Sequence, residues 1–500
     1  MTVSPPQLVV TLPARDPVDA RRQAAAARLA GADLAEVRLD RWSSGARERV
    51  ADLFPSPLPL VGTVRSRAEG GEGPDDRRAR AAILSALARL PFAYLDRERA
   101  RDPIPPQRAG EEPLTIESSH LAAGTPIAAA REIWASSKAS DVLRKVVLPA
   151  TVGVALGEIL PLFESGDVPP GTSVMTTGPS GPLLRALAPR LGAALVYARL
   201  SEDTAGDAAP LEPSQLPVGD LRRFFAGGAD APLFALLGRP VAHSMSPRLH
   251  GEWMRRAGAA GLYVPLEIGS EEELALAVRH LPALGFRGTN VTHPWKEAAL
   301  RLVPRASAAA RDCGAANCLR FDPDGPTAEN TDVEAIERRL RELTAAGRWA
   351  GGEVAVLGTG GAARATVVAA RRVGARVTVY GRRPDAVERL VRALGAGRGD
   401  LAAPRPAPLV VHATSVGRGG SGALELPLSA LIVRGGYVLD WVYGVADGEV
   451  ARAAARGGAE YESGEQLLAY QAASSYEHWW GVPPPSAGAG TSAREATCAE

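Results

Sequence analysis

Residues Glu353–Thr366 read E-V-A-V-L-G-T-G-G-A-A-R-A-T. A β-rich run ends in a glycine-rich turn, and a segment of helical composition follows it. Glycine at Gly358, Gly360 and Gly361 permits a tight turn and lets a pyrophosphate approach the start of the helix, where Ala362 follows. A bare G-x-G is a weak signal, but the strand–turn–helix context is the one that a dinucleotide site requires. The stretch predicts a Rossmann domain.

The next predicted strand, Arg376–Tyr380, ends in Gly381-Arg382-Arg383 and not in an acidic residue. An acid at this place binds the 2′-hydroxyl of the ribose, whereas arginine accommodates a 2′-phosphate. We therefore expect NADP (NADPH) as the coenzyme, with Arg382 and Arg383 at its phosphate. Two solvated arginines are the alternative in a chain so rich in this residue.

Lysine is rare in this chain. Only three of its 57 basic residues are lysine, namely Lys138, Lys145 and Lys296. Arginine stays protonated in proteins, whereas a lysine amine can donate a proton, accept one or form a Schiff base. Lys138 lies in a polar run, and we interpret its presence as chance. We expect Lys145 and Lys296 to take part in catalysis.

Lys296 ends the motif N-V-T-H-P-W-K (Asn290–Lys296), which is followed by G-A-A-N (Gly314–Asn317) and N-T-D (Asn330–Asp332). A lysine and an aspartate from different loops can share a proton network at one substrate hydroxyl. Taken alone, Asp332 could cap the helix predicted after it, and the two roles are compatible.

Upstream, S-M-S-P places Ser244 and Ser246 two residues apart in a predicted turn. Both hydroxyls can face one carboxylate. Taken alone, the motif indicates a turn with an incidental helix start.

The first half of the chain predicts a (β/α)8 barrel. Its β-rich runs, separated by helical stretches, are Leu8–Leu12, Asp33–Leu39, Leu60–Val64, Phe92–Leu95, Leu114–Ser118, Asp141–Val147, Ser173–Thr176 and Leu195–Tyr197. Eight β–α units favour a barrel over an open doubly wound sheet, since no glycine-rich nucleotide turn follows the first strand.

Ionisable side chains fall at the carboxyl ends of these strands, where barrels carry their active sites. They are Glu36, Arg38, Arg65, Glu69, Asp96, Glu98, His120 and Lys145. A histidine and a strand-borne lysine at one barrel mouth favour a Schiff-base lysine with a histidine acid/base. A structural histidine is the alternative.

The composition excludes several classes of protein. The 500 residues are 46% hydrophobic and 23% charged, with a net charge of +1, which indicates packed domains and neither nucleic acid nor a membrane surface as a partner. No apolar run of about 18 residues or signal peptide is present, so no membrane span is expected. The three cysteines indicate a reducing cytoplasm, and no metal motif is found.

The barrel segments carry a family resemblance. The pieces Glu36–Asp40, Val64–Glu72, Ser118–Pro126, Lys145–Pro149 and Gly178–Arg185 resemble type I 3-dehydroquinate dehydratase.

This resemblance implies that Lys145 forms an imine with the ketone of 3-dehydroquinate and that His120, oriented by Glu69, is the acid/base. Arg185 and Gln215 would hold the substrate carboxylate, and the product would be 3-dehydroshikimate. The hydroxyl contacts that it implies are Glu36, Arg38 and Arg65. The loop Leu211–Gln215 reads L-E-P-S-Q, where the family has S-A-P-G-Q.

The second half resembles shikimate dehydrogenase over essentially all of residues 233–482. The motifs quoted above carry this resemblance together with Ala413–Gly417, Asp440–Tyr443 and Gly464–Gln471. It implies that Lys296 and Asp332 form the catalytic pair and that NADPH reduces 3-dehydroshikimate. The substrate contacts that it implies are Ser244, Ser246, Thr292, Asn317, Tyr443 and Gln471. Thr414 would contact the cofactor.

We therefore expect an α/β protein of four segments. They are a dehydratase-like barrel (1–228), a substrate-binding domain (229–340), a Rossmann NADP domain whose C-terminal helix returns to the substrate domain (341–482), and a disordered tail (483–500). The expected function is bifunctional, with 3-dehydroquinate, 3-dehydroshikimate and shikimate as small-molecule substrates. A shikimate or quinate dehydrogenase with a degenerate barrel, or a non-catalytic ligand-sensing regulator, remains an alternative.

Overall fold

The computed structural model describes residues 5–103, 113–135, 142–201, 209–242, 244–414, 416–417, 425–426, 428–445 and 447–485. Lys138, Asp141 and most of the predicted tail, from residue 486 on, lie outside this range. The chain divides into two compact units. One consists of Met1–Leu233 and Ala259–Gly285, and the other of Phe234–Gly258 and Phe286–Glu500. The domain boundaries expected from the sequence stay a prediction.

The described elements are as follows. The strands are β1 (Gln7–Leu12), β2 (Leu34–Arg38), β3 (Leu60–Thr63), β4 (Tyr94–Glu98), β5 (Leu114–His120), β6 (Leu143–Pro149), β7 (Thr172–Thr177), β8 (Leu195–Ala198), β9 (Leu233–Gly238), β10 (Leu262–Glu267), β11 (Phe286–Val291), β12 (Arg305–Ala306), β13 (Cys318–Asp322), β14 (Gly325–Glu329), β15 (Glu353–Leu357), β16 (Arg376–Tyr380), β17 (Gly397–Arg398), β18 (Ala407–His412), β19 (Ile432–Asp440) and β20 (Glu460–Glu462). The α-helices are Pro17–Leu29, Ser44–Glu48, Arg77–Leu87, Ile127–Ala135, Val152–Val154, Leu160–Glu164, Gly181–Leu187, Val218–Ala226, Ser246–Arg256, Glu271–His280, Lys296–Arg301, Ala308–Cys313, Thr331–Ala345, Gly361–Arg372, Pro384–Leu394, Leu428–Leu431, Glu449–Gly457 and Glu465–Trp480. Within the described residues, none of them has both the length and the apolar character that crossing a membrane demands.

The first eight strands form the barrel. They lie in the order β7-β6-β5-β4-β3-β2-β1-β8, with parallel pairing throughout. Gly171 bridges Ala193, and the Leu195 N–H donates to Ser173 Oγ (2.8 Å), so β7 and β8 also meet. The interior is filled by the buried side chains of Val9, Leu34, Val61, Ile116, Met175, Leu195 and Tyr197. The predicted (β/α)8 barrel is confirmed.

The same unit includes the segment Ala259–Gly285, which contributes β10 and the helix Glu271–His280. Ser270 caps this helix by accepting the N–H of Glu273, as expected for a serine at a helix start. The Glu273 carboxylate in turn accepts the N–H of Gly153 (3.2 Å).

The second unit holds a mixed sheet in which β9, β11, β13, β14 and β12 are successive neighbours. The C-terminal helix Glu465–Trp480 packs on this sheet. Asn290 donates its side-chain N–H to Ser475 Oγ (2.8 Å), and Trp479 donates its indole N–H to the Leu319 carbonyl (3.1 Å).

The other sheet of this unit has the strand order β17-β16-β15-β18-β19-β20 and is parallel. Strand β15 is central, and its side chains alternate between two buried clusters. Val354 and Val356 face one cluster, and Ala355 and Leu357 face the other. A parallel sheet buried on both faces is the Rossmann architecture that the sequence predicted.

Candidate active sites

A cavity of about 190 Å³ lies at the carboxyl ends of the barrel strands. Every residue predicted for the dehydratase site lines it. They are Glu36, Arg38, Arg65, Glu69, His120, Lys145, Arg185 and Gln215. The fold thus brings together side chains that are spread over 180 positions (215 − 36 + 1) of the sequence. Their individual roles stay predictions.

Lys145 is 1% exposed and lies among carboxylates. Its Nζ donates a hydrogen bond to Asp96 and lies 4.0 Å from Glu36 Oε1 and 3.5 Å from the Tyr197 hydroxyl. Asp96 is held in turn by the Ser118 hydroxyl. Negative charge at this distance stabilises a positive nitrogen, whether it is an ammonium or the iminium that a lysine forms with a ketone.

His120 is fixed by Glu69. The same carboxylate oxygen lies 2.9 Å from His120 Nδ1 and 3.0 Å from its backbone nitrogen. Nε2 is buried and has no hydrogen-bond partner among the described residues. Burial, together with the positive charges of Arg65 and Lys145, lowers the pKa of His120 well below its usual value. A neutral His120 that donates from Nδ1 to an ionised Glu69 therefore offers the Nε2 lone pair as a base.

Burial and the neighbouring charge of Glu98 raise the pKa of Glu69 to about 7. The Glu69 carboxylate therefore gains its proton near neutral pH. When it is protonated, the pair no longer favours the tautomer with a free Nε2 lone pair.

The three residues predicted to contact hydroxyls differ in how far they are already engaged. Both oxygens of Glu36 accept threonine hydroxyls (2.9 and 2.8 Å). Arg38 makes a two-point ion pair with Asp40 (2.9 and 2.8 Å). Arg65 Nε is buried and has no partner within the described part of the chain, so it retains a donor for a ligand.

Arg185 is buried, and burial lowers its pKa to about 10. It donates to three backbone carbonyls and to Ser214 Oγ (3.3 Å). Ser214 donates to Glu212 (2.6 Å), whose carboxylate also lines the cavity, and Gln215 Nε2 donates to Thr11 (3.1 Å). The L-E-P-S-Q loop thus brings both a hydroxyl and a carboxylate close to Arg185.

Lys296 and Asp332 form an ion pair in the second unit. Lys296 Nζ lies 2.5 Å from Asp332 Oδ2, and the two side chains are 18% and 6% exposed. The interpretation of Asp332 as a helix cap is wrong. The cap is Asn330, whose side chain accepts the Val333 N–H (3.0 Å), because it is Asn330 that stands immediately before the first helical residue. Asp332 lies within the first turn, which leaves its carboxylate for Lys296.

The predicted substrate contacts near this pair are partly linked to one another. Asn317 is buried and exchanges hydrogen bonds with Thr331 (2.7 and 3.0 Å). Thr331 contacts Ser475 (3.2 Å), which donates to the carbonyl of Gln471 (2.9 Å). The Gln471 side chain donates to the carbonyl three residues before it.

The other predicted contacts lie in loops or at helix starts. Ser246 begins the helix Ser246–Arg256, and its N–H donates to Ser244 Oγ (3.3 Å). The Thr292 N–H donates to the Leu237 carbonyl (2.8 Å). Tyr443 follows β19 and is half-buried. Their roles toward a substrate stay predictions.

The glycine-rich turn has the geometry that a dinucleotide requires. Gly358 has φ +122°, and a Cβ there would lie 2.6 Å from the Ala413 carbonyl. Gly360 precedes the helix Gly361–Arg372, and a Cβ on it would meet nothing within 4 Å, so this face of the turn is open. Since unpaired N–H groups point out of a helix start, these residues fit a pyrophosphate.

Gly361 joins the turn to the ion pair. A Cβ at this position would lie 2.8 Å from Lys296 Cδ. The lysine stem therefore crosses the start of the helix through space that only glycine leaves open.

Arg382 and Arg383 are exposed directly after β16, and their contact with a 2′-phosphate stays a prediction. Arg382 pairs with Glu425 (2.9 Å). This pair is exposed on both sides, so it holds Arg382 only weakly.

Thr414 is held by a buried histidine and aspartate. His412 Nε2 lies 2.6 Å from Thr414 Oγ1, and its Nδ1 lies 2.7 Å from Asp440. The Thr414 methyl group would be 3.2 Å from a Cβ on Gly358, so the threonine lies against the glycine-rich turn. These hydrogen bonds fix the rotamer of Thr414, which the sequence predicts to contact the cofactor.

Sequence reasoning missed several of these residues as parts of a site. Asp96 was placed at the barrel mouth without a role, and Tyr197, Ser214, His412 and Asp440 received none. Since Asp96 lies on β4, two places from the lysine strand β6 in the sheet order, the parallel order of the barrel strands was the signal that could have found it. No local pattern marks the others.

Family models match both halves. Residues 8–226 match the model described as type I 3-dehydroquinase, and residues 236–319 match the model described as shikimate dehydrogenase substrate binding domain. A shikimate dehydrogenase (NADP(+)) from Acidiphilium cryptum is 40% identical over 258 residues, which cover 51% of this chain and 92% of that protein.

Two solved structures are also similar. Shikimate 5-dehydrogenase from Thermus thermophilus, in complex with NADP(H) and shikimate, is 34% identical at a TM-score of 0.48, over 53% of this chain and 99% of its own. A structure of dehydroquinate dehydratase and shikimate dehydrogenase from S. pombe is 22% identical at a TM-score of 0.43, over 96% of this chain and 97% of its own.

Proposed function

We propose that this chain, which belongs to the shikimate dehydrogenase family and also carries a segment matching type I 3-dehydroquinase, catalyses two consecutive reactions. The first is dehydration of 3-dehydroquinate to 3-dehydroshikimate. The second is NADPH-dependent reduction of that product to shikimate. The observation that carries the proposal is the placement of the two described lysines. Lys145 shares a cavity with His120, and Lys296 touches Asp332.

In the barrel, the Lys145 amine condenses with the substrate ketone, which releases water and forms an imine. The imine withdraws electrons from the neighbouring carbon, so His120 Nε2 can take a proton from it. The substrate hydroxyl then leaves with a proton as water while the carbon–carbon double bond forms. Hydrolysis of the imine releases 3-dehydroshikimate and restores the amine, and the net change is the loss of one water.

In the second unit, NADPH when bound supplies the hydride. Lys296 gives a proton to the oxygen of the C3 ketone, and Asp332 keeps the ammonium in place. The start of the helix Gly361–Arg372 would hold the pyrophosphate, and Arg382 and Arg383 would hold the 2′-phosphate. A cytoplasmic location and small-molecule substrates as the partners belong to the same proposal.

The test is a coupled assay with 3-dehydroquinate and NADPH, run on the wild type, Lys145→Ala and Lys296→Ala. Both variants should fail to oxidise NADPH from 3-dehydroquinate. Added 3-dehydroshikimate should restore oxidation in Lys145→Ala only. Lys296→Ala should still form 3-dehydroshikimate, measured by its ultraviolet absorbance. Full coupled activity in either variant contradicts the proposal.

Glu212 favours a second candidate, a dehydrogenase with an inactive barrel. Its carboxylate lines the cavity near Arg185, where the substrate carboxylate is expected, and like charges repel. Borohydride added with 3-dehydroquinate separates the two candidates. An active barrel leaves a reduced adduct on Lys145, visible in a peptide mass map, and an inactive barrel leaves none.

A further inference from the structure

Three side chains that commonly ligate metals meet in the second unit, outside both candidate active sites. Glu329 ends β14, Glu334 lies near the start of the helix Thr331–Ala345, and His478 lies in the last turn of the helix Glu465–Trp480. One donor atom from each lies within 4.8 Å of the other two. His478 Nε2 and Glu334 Oε1 are already 3.2 Å apart.

Glu329 is the buried member of the three, whereas Glu334 and His478 are partly exposed. It is only 7% exposed, and no hydrogen bond or ion pair engages its carboxylate in the described part of the chain. Arg320, which acts electrostatically on His478, pairs with Asp322 instead (2.9 Å). Glu329 itself acts electrostatically on His478 but forms no hydrogen bond with it. Carboxylates this buried are normally hydrogen-bonded, paired or bound to a metal ion in proteins.

We propose that Glu329, Glu334 and His478 bind a divalent transition-metal ion, for which zinc is the best-suited candidate. One imidazole nitrogen and two carboxylate oxygens are a ligand set that zinc accepts, whereas magnesium prefers oxygen ligands alone. Zinc holds such atoms at about 2.0–2.1 Å, which places them about 3.3 Å from one another. The donor atoms lie within 4.8 Å of one another, so a bound ion would have to draw them closer by rotation of the partly exposed Glu334 and His478 side chains.

The ion would join three elements that are distant in the sequence. It would link the end of β14 and the helix Thr331–Ala345 to the helix Glu465–Trp480. Glu329 directly precedes the cap Asn330, and Asp332 follows in the first turn, so the ion would also fix the segment that carries the partner of Lys296. Its role is structural, because the candidate reactions use none of the three ligands.

The test uses the full chain, freed of metal with a chelator and titrated calorimetrically with zinc chloride and, separately, with magnesium chloride. The variants are Glu329→Gln and His478→Gln. The matched controls are Glu337→Gln, on the same helix and paired with Arg341, and His280→Gln, in the other unit. Two ligand variants are used so that the test survives if one of them fails to fold.

The wild type and the controls should bind one more zinc ion than either ligand variant, or should bind zinc at this site at least tenfold more tightly than the variants do. Magnesium should bind to the wild type far more weakly than zinc. Zinc should also raise the melting temperature of the wild type but not of Glu329→Gln. With cobalt in place of zinc, only the wild type and controls should show the intense visible absorption of a low-symmetry site. Equal zinc stoichiometry and affinity in all five proteins, or no zinc binding by the wild type, overturns the proposal.

Discussion

Replacing Gly361 by alanine tests whether the glycine-rich turn positions the proton donor as well as the coenzyme. The added Cβ would lie 2.8 Å from Lys296 Cδ, whereas ordinary contacts begin at 3.4 Å, so the lysine stem must move by at least 0.6 Å (3.4 − 2.8). Nζ lies two bonds beyond Cδ and is held 2.5 Å from Asp332. The displacement therefore reaches the atom that delivers the proton.

The expected loss follows from this distance. A misplacement of about 1 Å can cost about a hundredfold in rate, so we expect kcat for shikimate oxidation to fall by about 10- to 100-fold, or about 1.4–2.7 kcal/mol of transition-state stabilisation. Stability should change by less than about 1 kcal/mol, because Gly361 has no positive φ and the atom that must move belongs to a flexible side chain.

The assay is steady-state kinetics with shikimate and NADP, and the chain supplies its own control. Dehydration of 3-dehydroquinate by the same sample should be unchanged. Gly360→Ala is the matched variant, since its Cβ meets no protein atom within 4 Å. It should raise KM for NADP, because it narrows the space left for the pyrophosphate, and should leave kcat nearly unchanged. Normal kcat in Gly361→Ala, or an equal loss of kcat in Gly360→Ala, would refute the reasoning.

Four further predictions concern other parts of the two sites. The kcat/KM for dehydration should rise with pH through about 7, where Glu69 ionises and leaves the His120 Nε2 lone pair free, and a pH–rate series should show this limb in the wild type but not in Glu69→Gln. Because folding raises the pKa of Glu69 from 4.5 to about 7, its contribution to stability is present below pH 4.5 and is lost as the pH rises through about 7. The free energy of unfolding in urea should therefore fall over that pH range more in the wild type than in Glu69→Gln. Arg382→Ser should raise KM for NADPH about tenfold and leave KM for NADH unchanged, and an equal change for both coenzymes contradicts a 2′-phosphate contact. His412→Leu leaves Asp440 short of a buried hydrogen-bond partner and should lower the free energy of unfolding in urea by about 2–4 kcal/mol, whereas a loss under 0.5 kcal/mol contradicts the hydrogen bonds described.

The elements that the sequence predicted well are those whose signal is local. The alternation of β-rich and helical runs indicated all eight barrel strands, and the glycine pattern of Glu353–Thr366 indicated β15 and its turn. Both signals arise from the chain geometry of a strand or a helix, which depends on near neighbours. The predicted boundaries were less accurate: β4 runs from Tyr94 to Glu98, whereas the sequence predicted Phe92–Leu95.

The partners of the reactive side chains could not be predicted in the same way. That Asp96, and not Glu36, bonds directly to Lys145 depends on strand register and on how each side chain points into the barrel. The contact of Asn290 with Ser475 depends on a helix that returns across the sheet from 185 positions away. Such contacts are set by packing of the whole unit, for which a single sequence carries no local pattern.

The surroundings of the two described lysines explain why lysine occurs at these positions in a chain whose other basic residues are nearly all arginine. Lys145 is 1% exposed and faces Asp96 and Glu36, an environment that stabilises the positive nitrogen of a protonated imine. Lys296 is 18% exposed and has one carboxylate, Asp332, which suits a group that gives up a proton and regains one from solvent. Arginine would satisfy the same carboxylates, often with better geometry, but its guanidinium stays protonated and forms no Schiff base. The ion pairs alone therefore do not account for lysine at these positions, whereas bond formation at one nitrogen and proton transfer at the other do.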